Sequence, residues 1–186
     1  QFINQGGLPL VDTLELKAPG SFFLVAGFWQ LFPNTITSVQ AFGIFWSILA
    51  LIGIYAGGRQ LFGTRAGILS AAAYMLLSPI MDSIDVNYGA WMIVPMIWSA
   101  VCFLKWMDTD ARKWLVLCGV LLAFAGLLKR QGAVLTPLFI GAIVYLGCTH
   151  KRSNHHRKIA IDIGSLMTGL GIDFFPIFAF WYWLPA

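Results

Sequence analysis

LPLVDTLELKAPGSFFLVAGFWQLFP, residues 8–33, is the segment that decides how this chain is read. It places Asp12, Glu15 and Lys17 within six positions, and Ala18-Pro19-Gly20 follows directly. It is the one long segment that mixes charged with apolar residues without being a plain connector between apolar runs. We expect it to form part of a polar site at a membrane surface, held there by the helices that follow.

The second half of this segment predicts a short helix beside the membrane. Pro19 suits the first turn of a helix, where its missing N–H would have no intrahelical partner. The apolar run Ser21–Phe32 contains five aromatic residues, but it is too short to cross a bilayer, which takes about 20 residues. Aromatic helices of this kind lie in the interface. Residues 1–36 are therefore predicted to be an outer loop with one interfacial helix.

The composition points to a membrane protein. The 186 residues are 59% hydrophobic and only 11% charged, whereas soluble domains carry about 25% charged residues. So few polar groups do not cover a water-facing surface, and lipid must cover much of it. The net charge of +4 sits in short basic clusters between apolar runs, which is the pattern of membrane topology, so nucleic acid is not expected as a partner. The three cysteines fit neither a zinc motif nor a disulfide framework.

Six apolar runs follow residue 36, separated by short polar segments. A basic turn is predicted over residues 57–65, and the strongly basic segment 149–158 is expected to be solvated. The sequence thus predicts an all-α fold. It is a polytopic membrane helix bundle of about six transmembrane helices in a single domain, 1–186, with the bundle over 37–184. The six runs are 37–56, 66–81, 88–106, 115–128, 133–148 and 159–184.

Basic residues are distributed unevenly between the two sides of this predicted bundle. With the first loop outside, the loops alternate, and the inner loops hold nine Lys or Arg residues against three outside. Because cytoplasmic loops carry the excess of Lys and Arg, residues 149–158 are predicted to be cytoplasmic and the first loop extracytoplasmic. The nine inner residues are Arg59, Arg65, Lys105, Arg112, Lys113, Lys151, Arg152, Arg157 and Lys158.

The three outer cations are candidates for a binding site because they lie on the side that the topology disfavours. Lys17 belongs to the first loop, and Lys129 and Arg130 end the fourth apolar run. Arginine offers a fork of donors to phosphate and lysine a compact charge, so together they suit a lipid phosphate. The alternative is that they extend to lipid headgroups or pair with Asp12 and Glu15.

Acidic residues on the same side are candidates for catalysis or metal binding. Asp12, Glu15, Asp82 and Asp85 are all predicted to be outside. A carboxylate can act as a general base or hold a divalent cation. The alternative is that they are solvated loop acids and helix caps.

The last apolar run contains two further acids. Asp162 is expected near the inner surface. Asp173 follows 11 residues later and is expected in the membrane or near its outer end, facing the protein interior.

Five short motifs make the chain resemble the GT-C glycosyltransferases, closest to bacterial protein-mannosyltransferases and aminoarabinose transferases. The likeness extends over roughly residues 5–145, and its motifs keep the family's order, spacing and topology. The motifs are Gly7–Asp12, Glu15–Gly20, Gly58–Gly67, Leu77–Pro79 and Gly126–Gly132.

The resemblance implies an enzyme of the bacterial cytoplasmic membrane. Such enzymes move a sugar from a polyprenyl-phosphate carrier to an acceptor on the extracytoplasmic face. By resemblance, Lys17 and Lys129 would contact the carrier phosphate with Arg130 assisting, and together they would stabilise the departing phosphate. Glu15 would hold a divalent metal ion or order the loop. The expected partners are membrane lipid and the polyprenyl-phosphate-linked sugar.

The chain also departs from the family pattern. The family's principal catalytic acid lies upstream of Gln1, so the chain is expected to be part of a longer protein, and Asp12 and Asp85 are the possible contributors within it. Gly20 stands where relatives carry a second proline, and Asn87 where they often carry an acid.

Two other functions therefore remain open. One is a non-catalytic accessory subunit of a larger membrane complex that reuses this fold, with other membrane subunits as partners. The other is a transporter, which would need broken helices in paired repeats, and the sequence shows none.

Overall fold

The computed structural model describes residues 19–33, 35–78, 88–149 and 155–183, and this part of the chain is helical with no strand. The expected all-α fold is therefore confirmed, including the short helix that begins at Pro19. A 3₁₀ turn over Arg130–Val134 links the fifth and sixth helices. The helices are α1 (Pro19–Leu31), α2 (Ile36–Phe62), α3 (Thr64–Leu77), α4 (Tyr88–Thr109), α5 (Lys113–Leu128), α6 (Leu135–Thr149) and α7 (His155–Trp183).

The predicted basic turn over 57–65 is wrong, because α2 continues to Phe62 and only Gly63 separates it from α3. Gly63 has a φ of 89°, and its N–H donates to the Arg59 carbonyl at 2.9 Å, which ends α2. Gly58 stays helical at a close contact between the two helices. A Cβ on Gly58 would lie 3.0 Å from the Cα of Gly67. The two glycines thus serve packing rather than a loop.

Two helices in the described ranges are long and apolar enough to cross a membrane, Thr37–Phe62 and Trp91–Thr109. Three further apolar helices, α3, α5 and α6, have 14, 16 and 15 residues. On α2, the exposed side chains Ile44, Ile48 and Ile52 recur every four residues and share one face. An exposed apolar face of this kind suits contact with lipid, and the fold fits an integral membrane protein. The count of six spans stays a prediction.

Helix α5 is the centre of the packing, since α4, α7 and α1 all pack against it. Gly119 on α5 and Gly169 on α7 let these two helices approach until backbone meets backbone. A Cβ on Gly119 would overlap the Leu166 carbonyl, and one on Gly169 would overlap the Val116 carbonyl. The buried side chains around this crossing include Leu115, Cys118, Leu122, Phe139, Ile143 and Leu166.

Two indole groups join α2 to α4. Pro95 lies inside α4 and has no N–H to offer the carbonyl of Trp91, its usual partner four residues earlier. The Trp46 Nε1–H of α2 donates to that carbonyl at 2.8 Å. In the other direction, Trp98 Nε1–H donates to the Leu49 carbonyl at 3.1 Å. The backbone polar group released by proline is thus satisfied inside the bundle.

Candidate functional site

A group of charged side chains lies at the start of α5, and one described charged side chain, Lys129, lies at its end. Arg112 caps its start and Lys129 its end. The 16 residues of α5 separate these caps by about 24 Å at 1.5 Å per residue. We call the residues Gly20, Leu127, Lys129 and Gly132 the Lys129 end, and the residues Asp110, Arg112, Lys158 and Asp162 the ion-pair end.

Both backbone polar groups of Lys129 form hydrogen bonds. Its N–H donates to the Ala125 carbonyl at 3.0 Å, and its own carbonyl accepts from Gly132 N–H at 2.8 Å. Its backbone is extended, with φ −157° and ψ 132°, so it ends the helix. Gly132 is buried against Ala125, where a Cβ would overlap the Ala125 carbonyl. The 3₁₀ turn is therefore folded tightly back on α5, and the position of Lys129 is set.

The Lys129 side chain is half-buried and has no ion-pair or hydrogen-bond partner among the residues that the structure describes. A cation in this state is available to an anion from outside the chain, such as a phosphate. The contact with a carrier phosphate that the resemblance implies for Lys129 stays a prediction.

The start of α1 touches the end of α5 through Gly20. A Cβ at Gly20 would lie 2.6 Å from the Leu127 carbonyl oxygen. No side chain fits at position 20 without a shift of one of the two helices. In sequence, Gly20 follows Lys17 by three residues and Leu127 precedes Lys129 by two. The contact thus joins the two sequence segments that carry the predicted phosphate-binding residues.

An aromatic cluster holds α1 against the bundle at this end. The ring of Phe28 lies 4.7 Å from that of Phe42 on α2, and Phe42 lies 5.7 Å from Trp91 on α4, edge to face. Leu128, the last residue of α5, is buried among them. The predicted interfacial helix therefore packs against α5 and contacts α2 through the Phe28 ring.

Most of the other predicted site residues lie outside the part of the chain that can be described. These are Asp12, Glu15, Lys17, Asp82 and Asp85, together with the side chains of Arg130 and Asp173. Within the described ranges, no group of three or more His, Cys, Asp or Glu side chains is arranged to hold a metal ion. The metal site at Glu15 and the catalytic contributions of Asp12 and Asp85 stay predictions.

At the ion-pair end, two ion pairs join α7 to the α4–α5 turn. Arg112 Nε–H donates to Asp162 Oδ1 at 3.4 Å, and Lys158 Nζ–H donates to Asp110 Oδ2 at 2.6 Å. Asp162 is buried, with only 5% of its side chain exposed. It was expected near the inner surface, and it does lie beside the α4–α5 turn. Its partner stands 50 residues away in sequence, so the pair was not visible from the sequence.

The sequence model of a family described as dolichyl-phosphate-mannose-protein mannosyltransferase matches residues 16–183. That range includes Lys17, Lys129 and Arg130, and it runs from the residues just before α1 to the last residue of α7. Searches of curated proteins and of solved structures gave no match.

Proposed function

This chain belongs to the dolichyl-phosphate-mannose-protein mannosyltransferase family, membrane glycosyltransferases that use lipid-linked sugars, and from that premise we propose its reaction. The protein transfers a sugar from a polyprenyl-phosphate carrier to an acceptor on the extracytoplasmic face of the membrane. The observation that supports this proposal is the Lys129 side chain at the end of α5, which has a hydrogen-bonded backbone and no ion-pair partner among the residues that the structure describes.

The chemistry requires a cation at the leaving group. The acceptor oxygen attacks the anomeric carbon of the sugar, the bond from that carbon to the phosphate oxygen breaks, and the carrier leaves as polyprenyl phosphate. A carboxylate takes the acceptor's proton, for which Asp12 and Asp85 are the candidates on this chain. Lys17, Lys129 and Arg130 stabilise the charge that develops on the departing phosphate.

The two ends of α5 support an orientation in the membrane. The α4–α5 turn and the adjacent ends of α2, α3, α4, α5 and α7 carry most of the described basic residues. Because Lys and Arg accumulate on the cytoplasmic side, we assign the ion-pair end to the cytoplasm and the Lys129 end to the extracytoplasmic side. The resemblance to bacterial enzymes favours the cytoplasmic membrane. The basic residues concerned are Arg59, Arg65, Lys105, Arg112, Lys113 and Lys158.

Transfer assays on membranes that contain the full protein test this function. The donor is mannose on polyprenyl phosphate with a radioactive label, and the readouts are labelled acceptor and released polyprenyl phosphate. We expect the wild type to transfer the sugar. In Lys17→Ala the transfer rate should fall about 100-fold, because the variant loses one donor that stabilises the departing phosphate.

The assay also separates an enzyme from an accessory subunit. A wild-type protein that binds the donor but releases no polyprenyl phosphate would overturn the enzymatic proposal. Lys17→Ala with unchanged transfer and unchanged donor binding would remove Lys17 from the site.

A further inference from the structure

Two lysines converge on one tryptophan at the turn between α4 and α5. The ammonium of Lys105, in the last turns of α4, lies 4.4 Å from the ring centroid of Trp114. The ammonium of Lys113, the first residue of α5, lies 5.5 Å from the same centroid. The face of an aromatic ring attracts cations and so gathers both ammonium groups. It carries no net charge, however, and neutralises neither of them.

The acids near this turn already have other partners. No carboxylate pairs with Lys105 or Lys113 among the residues that the structure describes. Asp108 accepts a hydrogen bond from Gln60 at 2.7 Å. Asp110 forms an ion pair with Lys158, and Asp162 forms one with Arg112. Since no described carboxylate forms an ion pair with either lysine, the two ammonium groups on this ring can take an anion from outside the chain.

The two lysines lie close to the end of a candidate membrane span. The candidate span Trp91–Thr109 ends four residues after Lys105, so the turn is at headgroup level, where tryptophan is enriched. On α5, Leu117 follows Lys113 by four residues and therefore shares its face one turn deeper. Leu117 is 41% exposed. A cationic pair with an exposed apolar side chain below it matches a phosphate headgroup joined to an acyl chain.

We propose that Lys105, Lys113 and Trp114 bind the headgroup phosphate of an anionic phospholipid, with an acyl chain lying along Leu117. The site is at the opposite end of α5 from Lys129 and does not depend on the transfer reaction. The occupant is a membrane lipid because the lysines stand over an apolar surface, where a soluble phosphate would gain nothing from Leu117.

Lipid binding by the full protein in detergent tests this proposal. Native mass spectrometry would count the molecules of phosphatidylglycerol and of phosphatidylcholine that each variant retains. We expect the wild type to prefer phosphatidylglycerol, and Lys105→Gln and Lys113→Gln each to weaken its binding about five-fold, since a lysine at an anionic lipid surface contributes about that factor. Arg65→Gln is the matched control, because it removes one positive charge from the exposed start of α3 without touching the ring.

Three outcomes would overturn the proposal. One is a Lys105→Gln/Lys113→Gln double variant that retains phosphatidylglycerol as well as Arg65→Gln does. Another is equal retention of the two lipids by the wild type. The third is stabilisation of the wild type against heat by inorganic phosphate alone to the same extent as by phosphatidylglycerol, which would identify a site for free anions. All variants should melt at the wild-type temperature in phosphatidylcholine alone, which excludes a folding defect.

Discussion

Arg112 and Lys158 near the start of α5 and Lys129 at its end are cations in opposite states. At the ion-pair end, Arg112 and Lys158 meet carboxylates of the same chain. At the Lys129 end, the ammonium of Lys129 has no partner within the described residues, yet its backbone is held on both sides. A cation paired within the chain ties helices together, whereas a positioned cation without such a partner can bind a ligand. The comparison separates cations that join helices from the cation that we propose acts on the donor.

The largest effect should come from Lys129. Lys129→Ala removes the one described cation at its end of α5, and we expect kcat/KM for transfer to fall about 100-fold, as for the loss of one donor to a developing charge. Lys158→Gln is the matched control. It removes a lysine from an exposed pair at the other end, where the effect on transfer should stay within roughly two-fold. Steady-state kinetics measures both, and equal losses in the two variants would contradict the comparison.

At the ion-pair end, the two partners should differ in what their removal costs. Arg112→Gln leaves the Asp162 carboxylate, whose side chain is 5% exposed, without its cation. We expect the free energy of unfolding to fall by about 2 kcal/mol. Asp162→Asn leaves an arginine that is 54% exposed and can be solvated, so the loss should stay below about 1 kcal/mol. Thermal unfolding in detergent compares them. A larger loss of stability in Asp162→Asn than in Arg112→Gln would contradict the view that Asp162 is the partner that depends on the ion pair.

The contact that places α1 should matter less to transfer than Lys129 does. Gly20→Ala pushes a methyl group into the Leu127 carbonyl, at a cost of about 1 to 2 kcal/mol in packing. We expect the KM for the lipid-linked donor to rise while kcat changes little, since Gly20 is a positioning residue that touches no substrate.

The control for this variant lies on the same helix. A methyl group on Gly27 would meet no atom of the described residues within 4 Å, so Gly27→Ala should leave both KM and the melting temperature unchanged. If Gly20→Ala behaves like Gly27→Ala, the contact does not position the donor site.

Residue patterns predicted the elements better than the contacts between them. Pro19 marked the start of α1, and the apolar runs marked the helices within a few residues. The basic turn failed at Gly57 and Gly58, because glycine predicts a turn by its backbone freedom and here it serves close packing. The topology argument singled out Lys129 as a candidate but left its pairing with Asp12 or Glu15 open. The pairing of Arg112 with Asp162 could not be predicted from the sequence, because it depends on the register of α7 against α5.

The hydrogen bond from the Trp46 indole to α4 has a consequence for how the sequence can vary. A proline at position 95 leaves the Trp91 carbonyl without a helical donor, and the donor comes from Trp46 on another helix. In lipid there is no water to replace that donor. Residues 46 and 95 should therefore change together over evolutionary time, because a chain that loses the tryptophan gains by losing the proline as well. A double-mutant cycle of Trp46→Phe with Pro95→Ala would show this as a departure from additivity.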